Sequence, residues 1–362
     1  MDQQITEKEN ERQCHNLAIQ AREARWLDWK YRFASADVWT ESMLTGLRKG
    51  IKGKKWYSLA DKIWSEKSLR TAYAKVKKNK GSAGSDNQSI TAFGARLESN
   101  IKQLHDELQT GRYRRRSIKR IEIPKPDGKK RPLGIPCVRD RVVEASIKSA
   151  IEPIFDIDFH PNSFGFQPGL GCNDALQFVK DLLDSGKYWI VDADVQAYFD
   201  NIDHDILLAR VEEKISDGRV LGWIAKALKT AIFDGLDRWT PEKGSPQGSI
   251  LSPLLANIYL DELDWELERA GISFVRYADD FVLLCESREQ AEAGLELVTR
   301  WCQTNKLKLH PGKTKLIEAT KSEGFDFLGY HFRAENHWPG DKGRKNRAAT
   351  AQDKIATSNQ AQ

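Results

Sequence analysis

The sequence contains no apolar run approaching the roughly 20 residues that a membrane-crossing helix needs, so no membrane partner is expected. Its five cysteines (Cys14, Cys137, Cys172, Cys285 and Cys302) lie far apart, and none forms a CxxC pair. That spacing argues against a zinc site. The odd count and the lack of a signal peptide point to a reducing, cytoplasmic location. The seven histidines show neither an HExxH motif nor another paired metal spacing. Gly169-Leu170-Gly171 is not a phosphate loop, because no Lys-Ser/Thr follows at the required distance. From Pro339 onward there is no aromatic residue, and this stretch has too little apolar content to build a core; it is expected to be disordered.

What is present is a chain of 362 residues, 40% hydrophobic, with a net charge of +5. That is enough to bury a substantial core, in roughly two or three subdomains. The basic excess is concentrated: between Arg112 and Arg141 stand twelve Lys or Arg against three acids. A charge run by itself is an ordinary solvated face. This one is interleaved with strand-like apolar residues, which suits a phosphate-facing surface.

Periodicity and turn chemistry divide the chain. Residues 1–35 are helical in pattern, with Trp26, Trp29 and Phe33 at helix spacing. Residues 56–111 read as helices broken by the Gly/Ser/Asp-rich stretch Asn79–Asp86. Residues 117–136 read as a hairpin about Pro124-Lys125-Pro126-Asp127-Gly128. A helix is predicted over 140–154, a strand over 188–195, and a helical stretch from there to about Phe233. Another helix follows over 252–270, its Leu255, Ile258, Leu263 and Leu267 forming a buried stripe. A hairpin over 272–285, a helix over 288–305 and short strands at 315–319 and 325–332 complete the pattern.

One acid, Asp194, falls at the end of a predicted strand, and a pair, Asp279 and Asp280, at a predicted hairpin turn. Asp-Asp alone is ordinary turn chemistry. Here Val275 precedes the turn and Phe281-Val282-Leu283-Leu284 follows it, so the acids cap apolar strands. Charges held there are costly unless they bind a cation. Carboxylates on rigid strand ends suit magnesium, which prefers oxygen ligands, and suit the paired ions that clamp the attacking and leaving oxygens of a phosphoryl transfer.

These segments resemble those of the reverse transcriptases. Phe274–Val282, containing Tyr277-Ala278-Asp279-Asp280, looks like their central motif, and Asp192–His204 looks like their first acidic motif. More narrowly, the chain is similar to the reverse transcriptase/maturases of group II introns. Asn162–Gly169, Gly244-Ser245-Pro246-Gln247-Gly248-Ser249, Leu251–Asn257 and Gly324–Tyr330 fit the same family. The resemblance covers about residues 56–333. It implies an α+β right-hand fold, with a palm on an antiparallel sheet and mainly helical fingers. The division it implies is an N-terminal helical extension (1–55), fingers (56–187, with a template-contacting segment at 56–111), palm (188–333) and a tail (334–362).

The resemblance also implies roles. Asp194, Asp279 and Asp280 would hold two Mg²⁺ ions (Mn²⁺ a possible substitute), with the Val195 carbonyl as a further ligand. Phe199, five positions after Asp194, would be the gate that rejects a ribose 2′-hydroxyl; the alternative is a core aromatic. Lys125 and Arg131 would contact the incoming triphosphate, and Gln247 would lie against the dNTP and template. Lys313 either protonates the leaving pyrophosphate or is a plain surface lysine. Phe327-Leu328-Gly329 resembles the primer-gripping hairpin. Asn79–Asp86 matches a template-contacting loop, or is an interhelix linker. The implied activity is RNA-directed DNA polymerisation on an RNA template (intron RNA), with a DNA primer and dNTPs. The alternatives are an RNA-binding maturase without efficient polymerisation and an inactive remnant. Family members continue into a helical thumb, whose apolar pattern 339–362 lacks. The expectation is therefore a truncated chain with weak, distributive synthesis.

Overall fold

The computed structural model describes residues 37–333, except 52, 54, 125–127, 129, 236 and 321–323. The helical pattern of 1–35 and the tail from Pro339 lie outside the described residues. So does Lys125.

Helices come first along the described chain: Glu41–Lys49 (α1), Ala60–Trp64 (α2), Glu66–Asn79 (α3), Ile90–Gly94 (α4) and Leu97–Gln109 (α5). Ser65 and Ser89 start α3 and α4 by accepting the backbone N–H groups of Ser68 and Ala92. The basic hairpin then forms as predicted. Ile118–Pro124 (β1) pairs antiparallel with Lys130–Ile135 (β2), Ile121 facing Leu133 and Ile123 facing Arg131. Val138–Asp156 (α6) is buried along nearly its whole length, and Cys172–Asp184 (α7) follows.

Trp189–Asp194 (β3) leads through Tyr198–Asn201 (α8) and His204–Glu212 (α9) to Gly218–Leu228 (α10). The helical reading that ran to Phe233 therefore ends at Leu228. Ile232–Asp234 (β4) and Asp237–Trp239 (β5) form a short hairpin that the sequence analysis missed. At three residues each, these strands show no measurable period. They are fixed by their partner: β4 pairs parallel with β1, giving a sheet of order β2-β1-β4-β5.

Ser252–Arg269 (α11), Ser273–Tyr277 (β6), Asp280–Cys285 (β7), Arg288–Thr304 (α12), Lys315–Glu318 (β8), Phe325–Phe327 (β9) and Tyr330–Phe332 (β10) complete the fold. The central sheet has the order β6-β7-β3-β8 and is antiparallel throughout. Alternation along β3 splits the core. Val191 and Ala193 join the large cluster with α11 and α12, while Ile190 joins a smaller one with α7 and the β9–β10 hairpin. The fold is the α+β polymerase palm that the sequence resemblance implies.

Candidate active site at the strand ends

The acids meet because β3 and β7 are adjacent and in register. Asp194, the last residue of β3, is the cross-strand partner of Asp280, the first of β7. Directly opposed residues of an antiparallel pair carry Cβ atoms roughly 4.5–5.5 Å apart on the same face. Asp279 stands one residue earlier, in the turn that joins β6 to β7. Asp194 and Asp280, 86 positions apart in the chain, are thus brought to one edge of the sheet.

The turn is held in a demanding shape. Ala278 has φ of 60°, a left-handed conformation unusual for a residue with a Cβ. A buried network fixes it. The Arg276 guanidinium donates to the Ala278 carbonyl at 3.0 Å, to Asn257 Oδ1 at 3.0 Å and to both carboxylate oxygens of Asp264. From the other side, Phe164 N–H donates to the Arg276 carbonyl and Arg276 N–H donates to the Asn162 carbonyl. Residues 162–164 thereby extend the sheet alongside β6. Gly165 lies so close to the turn that a Cβ there would collide with the Ala278 amide.

Asp192, two residues before Asp194 and on the same strand face, was not singled out from the sequence. Burial, with the charges of Asp280 and Asp194, pushes its carboxyl up to about 6. The even spacing of two acids on one strand was the available signal.

Lys313 Nζ sits 3.1 Å from each carboxylate oxygen of Asp194. Nearby, His310 N–H donates to the Asp194 carbonyl at 2.7 Å and Val195 bridges Leu309. The loop carrying Lys313 is therefore stitched to the end of β3. Among the described residues, no three His, Cys, Asp or Glu side chains are grouped closely enough to hold a metal ion as they stand. The donor set nevertheless fits magnesium: hard carboxylate oxygens of Asp194 and Asp280 opposed at a strand edge, with Asp279 in the adjoining turn.

Phe199 lies on α8, half-buried, with its ring 6.4 Å from that of Phe166 in an edge contact. Its carbonyl accepts the Ser245 N–H at 2.7 Å, which ties the first acidic motif to Gly244–Gly248. His204 Nε2 donates to the Gly244 carbonyl at 2.7 Å. The Gln247 carbonyl accepts the Gly134 N–H at 2.7 Å, so Gln247 rests on the basic hairpin. A Cβ at Gly248 (φ 106°) would strike the Gly134 carbonyl. Arg131 is half-exposed on β2, opposite Ile123.

Beside this contact lies a cavity of about 410 Å³. It is bounded by Lys80, Gly81 and Ser82 on one side and by Ile121, Ile123 and Leu133 on the other. The 79–86 loop is anchored there: Ser85 Oγ donates to the Ser117 carbonyl at 2.6 Å, and Asp86 pairs with Arg116.

The family model described as "Reverse transcriptase (RNA-dependent DNA polymerase)" matches residues 123–332. Protein YkfC of Escherichia coli (strain K12) is 34% identical over 290 residues, which covers 68% of this chain and 74% of that protein. The group II intron-encoded protein LtrA of Lactococcus lactis subsp. cremoris is 38% identical over 326 residues, covering 72% of this chain and 54% of LtrA. Nuclear intron maturase 3, mitochondrial, of Arabidopsis thaliana is 24% identical, covering 65% of this chain and 36% of that protein. The chain thus spans about half the length of LtrA.

Proposed function

Because the chain belongs to the reverse transcriptases, in the group II intron-encoded branch, we propose that it adds dNTPs to the 3′-end of a DNA primer under the direction of an RNA template. The observation that carries this reading is the register pairing of Asp194 with Asp280, with Asp279 in the adjoining turn. Those three carboxylates, with the Val195 carbonyl, are the proposed magnesium ligands. When bound, the two ions supply the charge that activates the primer hydroxyl and neutralises the triphosphate.

The chain's own residues do the positioning. Asp194, Asp279 and Asp280 orient the reacting oxygens by holding their counter-ions on rigid strand ends. Phe199, half-buried against Phe166, is the proposed gate against a ribose 2′-hydroxyl. Arg131 and Lys125 are the proposed contacts to the triphosphate, and Gln247 is the proposed contact to nucleotide and template. Lys313, already against Asp194, is placed to move toward the departing pyrophosphate. The cavity between Lys80–Ser82 and the β1–β2 sheet suits the template strand, since it sets Lys80 beside the apolar side chains of Ile121, Ile123 and Leu133. In this reading residues 56–187 are the fingers and 188–333 the palm, with the β9–β10 hairpin gripping the primer.

The test is primer extension on poly(rA)/oligo(dT) with Mg²⁺, beside Asp279→Ala. Extension by the parent chain, abolished in the variant while RNA affinity stays within about twofold, supports the reading. Extension that survives in Asp279→Ala overturns it. A second reading, RNA binding in support of intron folding, is favoured by the concentrated basic segment between Arg112 and Arg141 and is compatible with the first.

A further inference from the structure

Two rings meet Phe199, the proposed sugar gate. Tyr198 stands edge-on to it at 5.4 Å between centroids, and Phe166 stands edge-on at 6.4 Å. Tyr198 is buried, and its hydroxyl donates to the Ala256 carbonyl of α11 at 2.7 Å. Phe166 belongs to the 162–169 loop. The next residue of α11, Asn257, holds that loop by donating from Nδ2 to the Gly165 carbonyl at 2.8 Å. Tyr198 and the loop carrying Phe166 are thus tied to consecutive residues of one helix. Asn257 Oδ1 in turn accepts from Arg276 Nη1 at 3.0 Å, and the same nitrogen donates to the Ala278 carbonyl. One guanidinium therefore steadies both the loop beside the gate and the turn that carries Asp279.

The backbone at Phe166 is unusual for its side chain. Its φ is 59°, in the left-handed region that favours glycine or asparagine. Among the described residues with positive φ, it is the only aromatic one. A large side chain kept in a strained conformation points to a use for that side chain. Core packing is not the use. Among the described residues, Phe166 belongs to neither hydrophobic cluster, whereas Phe199 packs against the larger one. The Phe166 ring is half-buried, and among the described residues the ring it meets is that of Phe199.

We propose that Phe166 is a positioning residue for sugar selection, its ring backing Phe199 so that a ribose 2′-hydroxyl cannot push the gate aside. This rests on the polymerase reading, with Phe199 as its gate. The helix that carries Phe199 has only four residues and gives the ring little rigidity of its own. An edge contact adds attraction beyond the area it buries, and it resists displacement of either ring. Without the Phe166 ring, Phe199 gains room and ribonucleotides enter more readily.

The probe is extension of oligo(dG) on poly(rC) by the whole chain with Mg²⁺, read as kcat/KM for dGTP and for GTP. Phe166→Gly removes the ring and eases the left-handed backbone, so the loop is not put under new strain. It is expected to lower the dGTP-to-GTP ratio by about threefold to tenfold, the range that one edge contact allows, through a lower KM for GTP. In a Phe199→Val background, the same change is expected to shift the ratio by less than about twofold, since the backing ring has nothing left to back.

A ratio that moves less than about twofold in Phe166→Gly is below what one edge contact supplies and overturns the proposal. So does a fall produced by slower dGTP addition with GTP addition unimproved, which is general damage to the site. Equal effects with and without the Phe199 ring overturn action through Phe199. The polymerase reading fails separately: if the parent chain extends no better than Asp279→Ala, that reading falls and this proposal with it. If Phe166→Gly melts early, Phe166→Asn, which also tolerates the left-handed backbone, is measured instead, and an unchanged ratio there overturns the proposal equally.

Discussion

Arg276 and Asp264 meet in a two-point contact directly beneath the acid turn, Nε lying 2.8 and 3.0 Å from the two carboxylate oxygens, and both side chains are 1% exposed. The same guanidinium holds the Ala278 carbonyl. A buried pair of this kind stabilises little by comparison with an apolar pair of the same size, yet removing one partner leaves a stranded charge.

Asp264→Ala or Arg276→Met should therefore cost about 3–5 kcal/mol in urea unfolding. The double variant Arg276→Met/Asp264→Leu should recover most of that stability without recovering extension, because Ala278 still lacks its donor. Full recovery of activity in the double variant would show that the guanidinium does not position the turn.

Gly165 is the backbone counterpart of that network. A methyl group there must push the Ala278 amide aside. Gly165→Ala should lower stability by about 1–3 kcal/mol and slow nucleotide addition disproportionately, since the displaced atoms adjoin Asp279. Single-turnover extension and a urea melt on the same preparation separate the two effects. An unchanged extension rate contradicts the placement of the turn.

The Phe199 ring tests the gate. Phe199→Val should leave the fold intact, because the ring is only half-buried and touches Phe166 and Tyr198 at edge geometry. It should relax the preference for dNTP over NTP by about tenfold or more, read as the ratio of kcat/KM values for dGTP and GTP. A ratio that does not move returns Phe199 to the role of a packing aromatic.

Asp261 gives a pH-dependent prediction away from the acids. Burial, then the neighbouring Asp264, pushes its carboxyl up to about 7. The folded state thus holds a proton that the unfolded chain, titrating near about 3.9, has already lost. Between those values the native state binds more protons, so this group's contribution to stability falls as pH rises from about 4 to 7. Asp261→Asn keeps an oxygen for the His160 N–H, which Asp261 accepts at 3.2 Å. It should flatten that decline and raise stability at pH 8 by about 2 kcal/mol. Urea midpoints at pH 5 and pH 8 measure it; equal midpoint shifts at both pH values would dissociate Asp261 from the slope.

The amino-acid pattern alone carried the long elements and the identity of the strand-end acids. The helices at 138–156, 252–269 and 288–304, the hairpins about 124–130 and 278–279, and the apolar flanks of Asp279-Asp280 all follow from local periodicity and turn chemistry. These operate over ten or twenty residues and are written directly in the chain. Tertiary structure decided what depends on partners far along it. The opposition of Asp194 to Asp280 is a matter of inter-strand register. The attachment of β4 to β1 gives three-residue strands a place in the basic sheet. The burial of Arg276 on Asp264, the approach of Lys313 to Asp194, and the edge contact of Phe166 with Phe199 are of the same kind. Hydrophobic period fixes which face of a strand is buried, but only packing fixes which strand lies beside it. Charges separated by a hundred residues become one site through that second choice alone.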